Sequence, residues 1–144
     1  MRISTKGKYG LKAVVSIAQA METERCVSIK TIAERNGLSE NYLEHIIAAL
    51  KKAGIVKSVR GASGGYFLAR PPFELSVGEV LRALEGPLSP ADCVLDPTDS
   101  CGDADCSICA TKGLWVMLHR KINEFVDSIT IADLAADESL IHAL

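Results

Sequence analysis

Two short β-compatible runs, residues 55–60 and 66–70, are joined by Gly61-Ala62-Ser63-Gly64-Gly65, and this pairing constrains the chain more than any other feature. A glycine-rich connector between such runs predicts a hairpin with a flexible tip. Three helical segments precede it. Ser4 or Thr5 can cap the first, in which Tyr9, Ala13, Ile17 and Ala20 or Met21 recur at three- and four-residue spacing. Ser28 caps a second, with Ile29, Ile32 and Ala33 inward, and Asn36-Gly37 ends it because both residues tolerate a left-handed turn. Ser39 caps a third, whose Leu43, Ile46, Ile47 and Leu50 form one apolar stripe, and Gly54 stops it. Two short helices around a glycine turn, followed by a hairpin, predict a winged helix-turn-helix. The helix after Ser39 is then the recognition helix. The expected fold is mainly α with one small β-hairpin. Residues 1–72 form the DNA-binding domain, closed by Pro71-Pro72.

The charge distribution supports that reading. The formal net charge of -2 conceals twelve Lys and Arg against five acids in residues 1–70, and four against thirteen in residues 71–144. A basic front half suits a polyanionic partner, here double-stranded DNA, with unevenly solvated surface charge the weaker alternative for the asymmetry taken alone. The candidate DNA-contacting residues on the recognition helix are Ser39, Asn41, Tyr42, Glu44, His45 and Lys51, the middle four facing the major groove. On the wing they are Arg60, Ser63, Gly64 and Gly65. Glycines let a backbone approach phosphates closely, and an arginine reaches a phosphate or a narrow minor groove.

The second half departs from this pattern. Ser76-Val77-Gly78-Glu79 is a capping box opening a connecting helix (residues 73–86) with Val77, Val80, Leu81 and Leu84 inward, stopped by Gly86-Pro87. Residues 87–110 lack periodicity, hold five aspartates, and contain four of the five cysteines: Cys93, Cys101, Cys106 and Cys109. From about Thr111 a long amphipathic helix is expected, with Leu114, Trp115, Leu118, Ile122, Phe125, Val126 and Ile129 inward. Its stripe exceeds what a small winged domain covers, so residues 111–144 read as a dimerisation helix and tail, and the partner as a second copy. Thr130 can cap a final short turn. The N-terminus has no apolar export segment, and no run approaches a membrane span, so a cytoplasmic protein is expected. There thiols stay reduced, which disfavours structural disulfides and favours a soft metal, an iron–sulfur cluster or reaction with an oxidant. Cys26 reads as a small core filler, His119 as a surface or interface histidine, and His142 as part of a fraying tail. No nucleophile elbow, phosphate loop or telling acid pair is present, so an enzyme is not expected.

Several stretches together resemble the Rrf2 family of bacterial transcription regulators: residues 1–10, Ile32-Ala33-Glu34-Arg35, Tyr42-Leu43-Glu44, the wing from Val59 to Tyr66, and residues 127–134. The cysteine loop is most similar to that of its cluster-binding members, among them regulators of iron–sulfur cluster biogenesis and nitric-oxide-sensing repressors. The resemblance implies a homodimeric repressor of iron–sulfur assembly or stress genes, bound to a partly palindromic operator, with DNA binding set by a [2Fe-2S] cluster. It points to Cys93, Cys101 and Cys109 as ligands, spaced C-x7-C-x7-C. Many relatives place a histidine three residues after the last cysteine. Lys112 stands there instead, and an ammonium does not ligate iron at neutral pH. Glu44 is then the leading fourth ligand, with Cys106 and His45 as alternatives. Four thiolates would equally suit zinc, and Cys101 or Cys106 could act as a cluster-free thiol switch; spacing alone does not separate these.

Overall fold

The structure, a computed structural model, describes residues 1–96 and 109–136. Three serines start the first three helices, each accepting a backbone N–H with its hydroxyl. Ser4 takes Gly7 at 3.1 Å to open α1 (Thr5–Ala20). Ser28 takes Thr31 at 3.1 Å to open α2 (Ile29–Asn36), and Ser39 takes Tyr42 at 3.2 Å to open α3 (Glu40–Lys52). Each cap is worth about 1 kcal/mol. Gly37, at φ 64°, ends α2 with the left-handed geometry that a tight turn into α3 requires.

The hairpin pairs β1 (Val56–Val59) with β2 (Gly65–Leu68), antiparallel, with Val56 opposite Leu68 and Val59 opposite Gly65. Strand β1 is one residue shorter than its sequence run at each end, while β2 starts one residue earlier, at Gly65, and stops two residues earlier, at Leu68. The hairpin also gains a third partner: Val27 donates to the Tyr66 carbonyl at 2.9 Å and Tyr66 donates to the Val27 carbonyl at 2.8 Å. The segment before α2 is thereby stitched to the wing.

Beyond Pro71, a single turn (Pro72–Glu74) leads into α4 (Val77–Glu85), whose capping box is complete. Ser76 Oγ accepts from Glu79 N at 3.1 Å, and the Glu79 carboxylate accepts from Ser76 N at 3.0 Å and from Arg70 at 2.6 Å. Burial raises the Glu79 pKa, but the Ser76 amide and the Arg70 guanidinium together outweigh it and hold the group below its usual value. After the cysteine region, α5 (Lys112–Ser128) runs antiparallel to α4: Arg82 reaches Asn123 and Asp127, while Val77 N bonds Ile129 O at 2.9 Å.

The chain then re-enters the core. Thr130 and Asp133 cap each other's amides at 2.8 and 3.1 Å and open α6 (Ile131–Ala136), and Ile131 is fully buried. The expected short turn at Thr130 is therefore a helix packed on α1. The core is one cluster centred on α1, with Val14, Ile17, Ile32, Leu43, Ile46, Leu50, Val80 and Ile131 all inaccessible to solvent.

The long helix departs from its expected pattern. No residue of α5 is fully buried, and its apolar residues apart from the exposed Val116 divide into two stripes. Trp115, Ile122 and Val126 are half-buried, the last two packed against the core. Leu114, Met117, Leu118 and Phe125 are exposed, Leu114 at 56% and Phe125 at 63%. At about 100° per residue the two stripes lie roughly 100° apart around the helix. The expectation that Leu114, Leu118 and Phe125 turn inward is thus corrected: α4 and the core cover only one side.

Candidate nucleic-acid interface and cysteine segment

The recognition helix divides by its period. Leu43, Ile46, Ile47 and Leu50 hold it to the core, leaving Asn41, Glu44 and His45 exposed on the opposite face. Ser39 is exposed, though its hydroxyl is used as the cap. Tyr42 is half-buried, its ring edge-on to Tyr9 at 6.4 Å, so that helix α1 supports its position. Lys51 donates to Ser58 Oγ at 2.9 Å and links α3 to β1. Arg60 and Ser63 are exposed at the wing.

The wing glycines serve the protein's own backbone. A Cβ on Gly65 would stand 2.6 Å from Val27 C and 3.0 Å from Ser28 N, and would overlap Val27 O. One on Gly64 would overlap Val59 O and lie 3.0 Å from Arg60 C. The protein's own backbone is therefore sufficient to demand glycine at these two positions. Cys26 is corrected as well: it is half-buried, not a core filler, and its thiol donates to the Ser63 carbonyl at 3.4 Å. No spacing in the sequence connects Cys26 with a loop 37 residues away.

The cysteine region is described at its two ends. Cys93 sits in a single turn, Asp92–Val94, that packs against α5, and is only 8% exposed. Cys109 lies just before α5, its sulfur 3.4 Å from the Thr111 hydroxyl. The hydrogen bonds from Thr111, side chain first and then backbone, lower its pKa below the usual thiol value, and the Lys112 amide and charge add to this. That is the setting in which a thiol becomes a nucleophile or ligand. Cys101 and Cys106 lie outside the described residues, as does His142. His119 is not simply a surface residue: its Nδ1 is buried without a hydrogen-bond partner among the described residues. Glu44 stands on α3, and among the described residues no three His, Cys, Asp or Glu side chains gather as a metal site. Two thiols, one of lowered pKa, and an unpartnered imidazole nitrogen nonetheless match in chemistry what a thiophilic metal or cluster requires.

Sequence reasoning missed three ties among these parts. Glu85, at the end of α4, accepts from both the Ser4 amide (3.2 Å) and the Ser4 hydroxyl, fastening α4 to the start of α1. Arg82 binds Asp127 at 2.5 Å, and Asn123 binds the Leu88 carbonyl at 2.9 Å. All are side-chain contacts across more than thirty residues, for which the sequence carries no local signal.

A helix-turn-helix with an exposed recognition face, followed by a hairpin wing, defines a DNA-binding regulator of the winged-helix class. The family model Rrf2, described as an iron-dependent transcriptional regulator, matches residues 3–137. The HTH-type transcriptional regulator CymR of Bacillus subtilis (strain 168) is 40% identical over 94% of this chain and 91% of its own length. Its solved structure, titled as that of the global cysteine regulator, superposes with a TM-score of 0.78 at 38% identity, covering 94% of this chain and 97% of that one. The structure of T. potens IscR superposes with a TM-score of 0.74 at 45% identity, covering 96% and 90%. The chain belongs to the Rrf2 family of DNA-binding transcription regulators.

Proposed function

We propose that this protein is a homodimeric repressor whose binding to a partly palindromic operator is set by a [2Fe-2S] cluster on the cysteine segment. The observation that carries the cluster reading is the pair of thiols at the ends of that segment, Cys93 packed against α5 and Cys109 just before its start, 3.4 Å from the Thr111 hydroxyl. Cys93, Cys101 and Cys109 would hold the group, with Glu44 as fourth ligand and Cys106 as its alternative. When bound, the cluster would supply a redox- and iron-responsive charge to that segment. Asn41, Tyr42 and His45 enter the major groove, joined by Glu44 only when it does not hold the cluster, Ser39 and Lys51 approach the backbone, and Arg60 with the Ser63-Gly64-Gly65 tip reaches the minor groove. The exposed Leu114, Met117, Leu118 and Phe125 stripe meets its copy in the dimer, which a desolvated apolar stripe of this size favours. The protein works in the cytoplasm.

A second reading has its own support. CymR is titled a global cysteine regulator, and the described residues hold no gathered metal site. A thiol-switch regulator without a cluster fits both facts, and a zinc-bound regulator is the other alternative to a cluster. Anaerobic purification followed by visible spectroscopy with iron and sulfide assay separates the two. A brown protein with near-equal iron and acid-labile sulfide supports the cluster; a colourless one that binds operator normally overturns it.

A further inference from the structure

The segment that carries Cys93 leaves α4 at Gly86 and is fastened two residues later. Asn123 donates from Nδ2 to the Leu88 carbonyl at 2.9 Å, and also to the His119 carbonyl, one turn back on α5, at 2.9 Å. Its Oδ1 accepts from Arg82 Nη1 at 2.9 Å. One amide therefore joins α4, α5 and the root of the cysteine segment, with both its donors and its acceptor used. Five residues beyond Leu88, the turn holding Cys93 rests on the same helix. Because α4 and α5 run antiparallel, chain leaving the end of α4 lies along the N-terminal half of α5, the half that follows Cys109.

We propose that Asn123 is a positioning residue: its bond to Leu88 holds Cys93 in its buried place on α5, and so governs how tightly the cysteine segment keeps a thiophilic metal or cluster. The second part rests on the proposed function; the first concerns the metal-free protein alone.

Asn123→Asp isolates the bond in question. A carboxylate still accepts from Arg82 but cannot donate to the Leu88 carbonyl, and sets two acceptors against each other. In reduced, metal-free protein, alkylation by iodoacetamide is followed by quantifying the Cys93 peptide. Cys93 should react slowly in the wild type and about tenfold faster in Asn123→Asp, the scale of losing one part-buried hydrogen bond and stranding its acceptor. Cys26 should react at an unchanged rate. Arg82→Gln removes the pair with Asp127 and the bond to Asn123 Oδ1 but leaves the Asn123 donor to Leu88, and should leave Cys93 slow. Asn123→Ala serves if the Asp variant does not fold. Wild-type Cys93 rates in the Asn123 variants, or equal acceleration by Arg82→Gln, would overturn the assignment.

Cobalt(II) then probes the site through its thiolate charge-transfer absorption. Binding by the wild type and about tenfold weaker binding by Asn123→Asp supports the metal half, whereas equal affinity refutes it. Accelerated Cys93 labelling with no thiolate band in the wild type would leave the positioning role standing and remove the cysteine-site reading instead.

Discussion

Replacing Gly65 by alanine tests whether the wing is held by the protein or merely hinged to it. The new Cβ would overlap the Val27 carbonyl oxygen and stand 2.6 Å from its carbon, and backbone cannot rotate aside as a side chain can. Strand β2 must then retreat from Val27. The two hydrogen bonds of the Val27–Tyr66 bridge, at 2.9 and 2.8 Å, are the first to break. At about 0.5–1.5 kcal/mol each, their loss costs about 1–3 kcal/mol. In a chain of this length that lowers the melting temperature by about 3–9 °C. A retreating hairpin carries Arg60 and Ser63 with it, so operator affinity should fall further than stability requires, even well below the melting transition. Hydrogen exchange supplies the direct reading: the Val27 and Tyr66 amides should lose about tenfold or more of their protection, while Ile46 and Leu50 in α3 keep theirs. Gly61→Ala is the comparison. Its Cβ meets nothing, and its strain arises only from φ 114°, so it should destabilise without releasing Val27. If Gly65→Ala lowered stability while Val27 and Tyr66 remained protected, the stitched-wing argument would be wrong.

Operator affinity should fall steeply with salt, log K declining by about 0.9 per log unit for each phosphate neutralised, and Arg60→Ala should reduce that slope by about one; a flat dependence excludes the interface. Glu44→Ala should alter the visible spectrum or speed cluster loss and broaden the sites bound by cluster-free protein, and a wild-type spectrum there with its loss in Cys106→Ala would move the fourth ligand to Cys106. Phe125→Asp should shift the sedimentation profile from dimer toward monomer while the circular dichroism stays helical. The Glu79 carboxyl titrates below its ordinary 4.5 in the folded protein, so its contribution is complete above that value and is lost as pH falls through the folded pKa. Glu79→Gln should therefore lower the melting temperature at pH 7 and reduce its dependence on pH in the acid range.

What could be read in the sequence was local. Ser4, Ser28, Ser39 and the Ser76–Glu79 box were legible because a cap is satisfied within three residues, and Gly37 because a turn imposes its φ on one position. The apolar stripe of α3 was legible because all its burial is on one side, which at once identified the exposed face that can meet DNA. Helix α5 defeated the same reasoning. Periodicity reports that a residue prefers to leave water, not which surface receives it, and α5 has more than one surface to satisfy. Its half-buried stripe meets α4 and the core, while Leu114, Leu118 and Phe125 await a surface outside the single chain.

The long-range polar ties were illegible for another reason. Glu85 on Ser4, Arg82 on Asp127 and Asn123 on Leu88 are polar contacts whose partners are chosen only after the helices pack. Yet they decide what a sensor at Cys93 can influence. The end of α4 is bonded to the first cap of the DNA-binding domain on one side, and through Arg82 and Asn123 to the long helix on the other. A change in the cysteine segment that moved Leu88 would act on both connections together. On the proposed reading of the cysteine segment as sensor, signal and reader would be joined by side chains of ordinary hydrogen-bond strength, enough for the modest several-fold to hundredfold coupling typical of regulators. Such coupling would be lost by exchanging one amide at Asn123, without touching either a cysteine or a DNA-contacting residue.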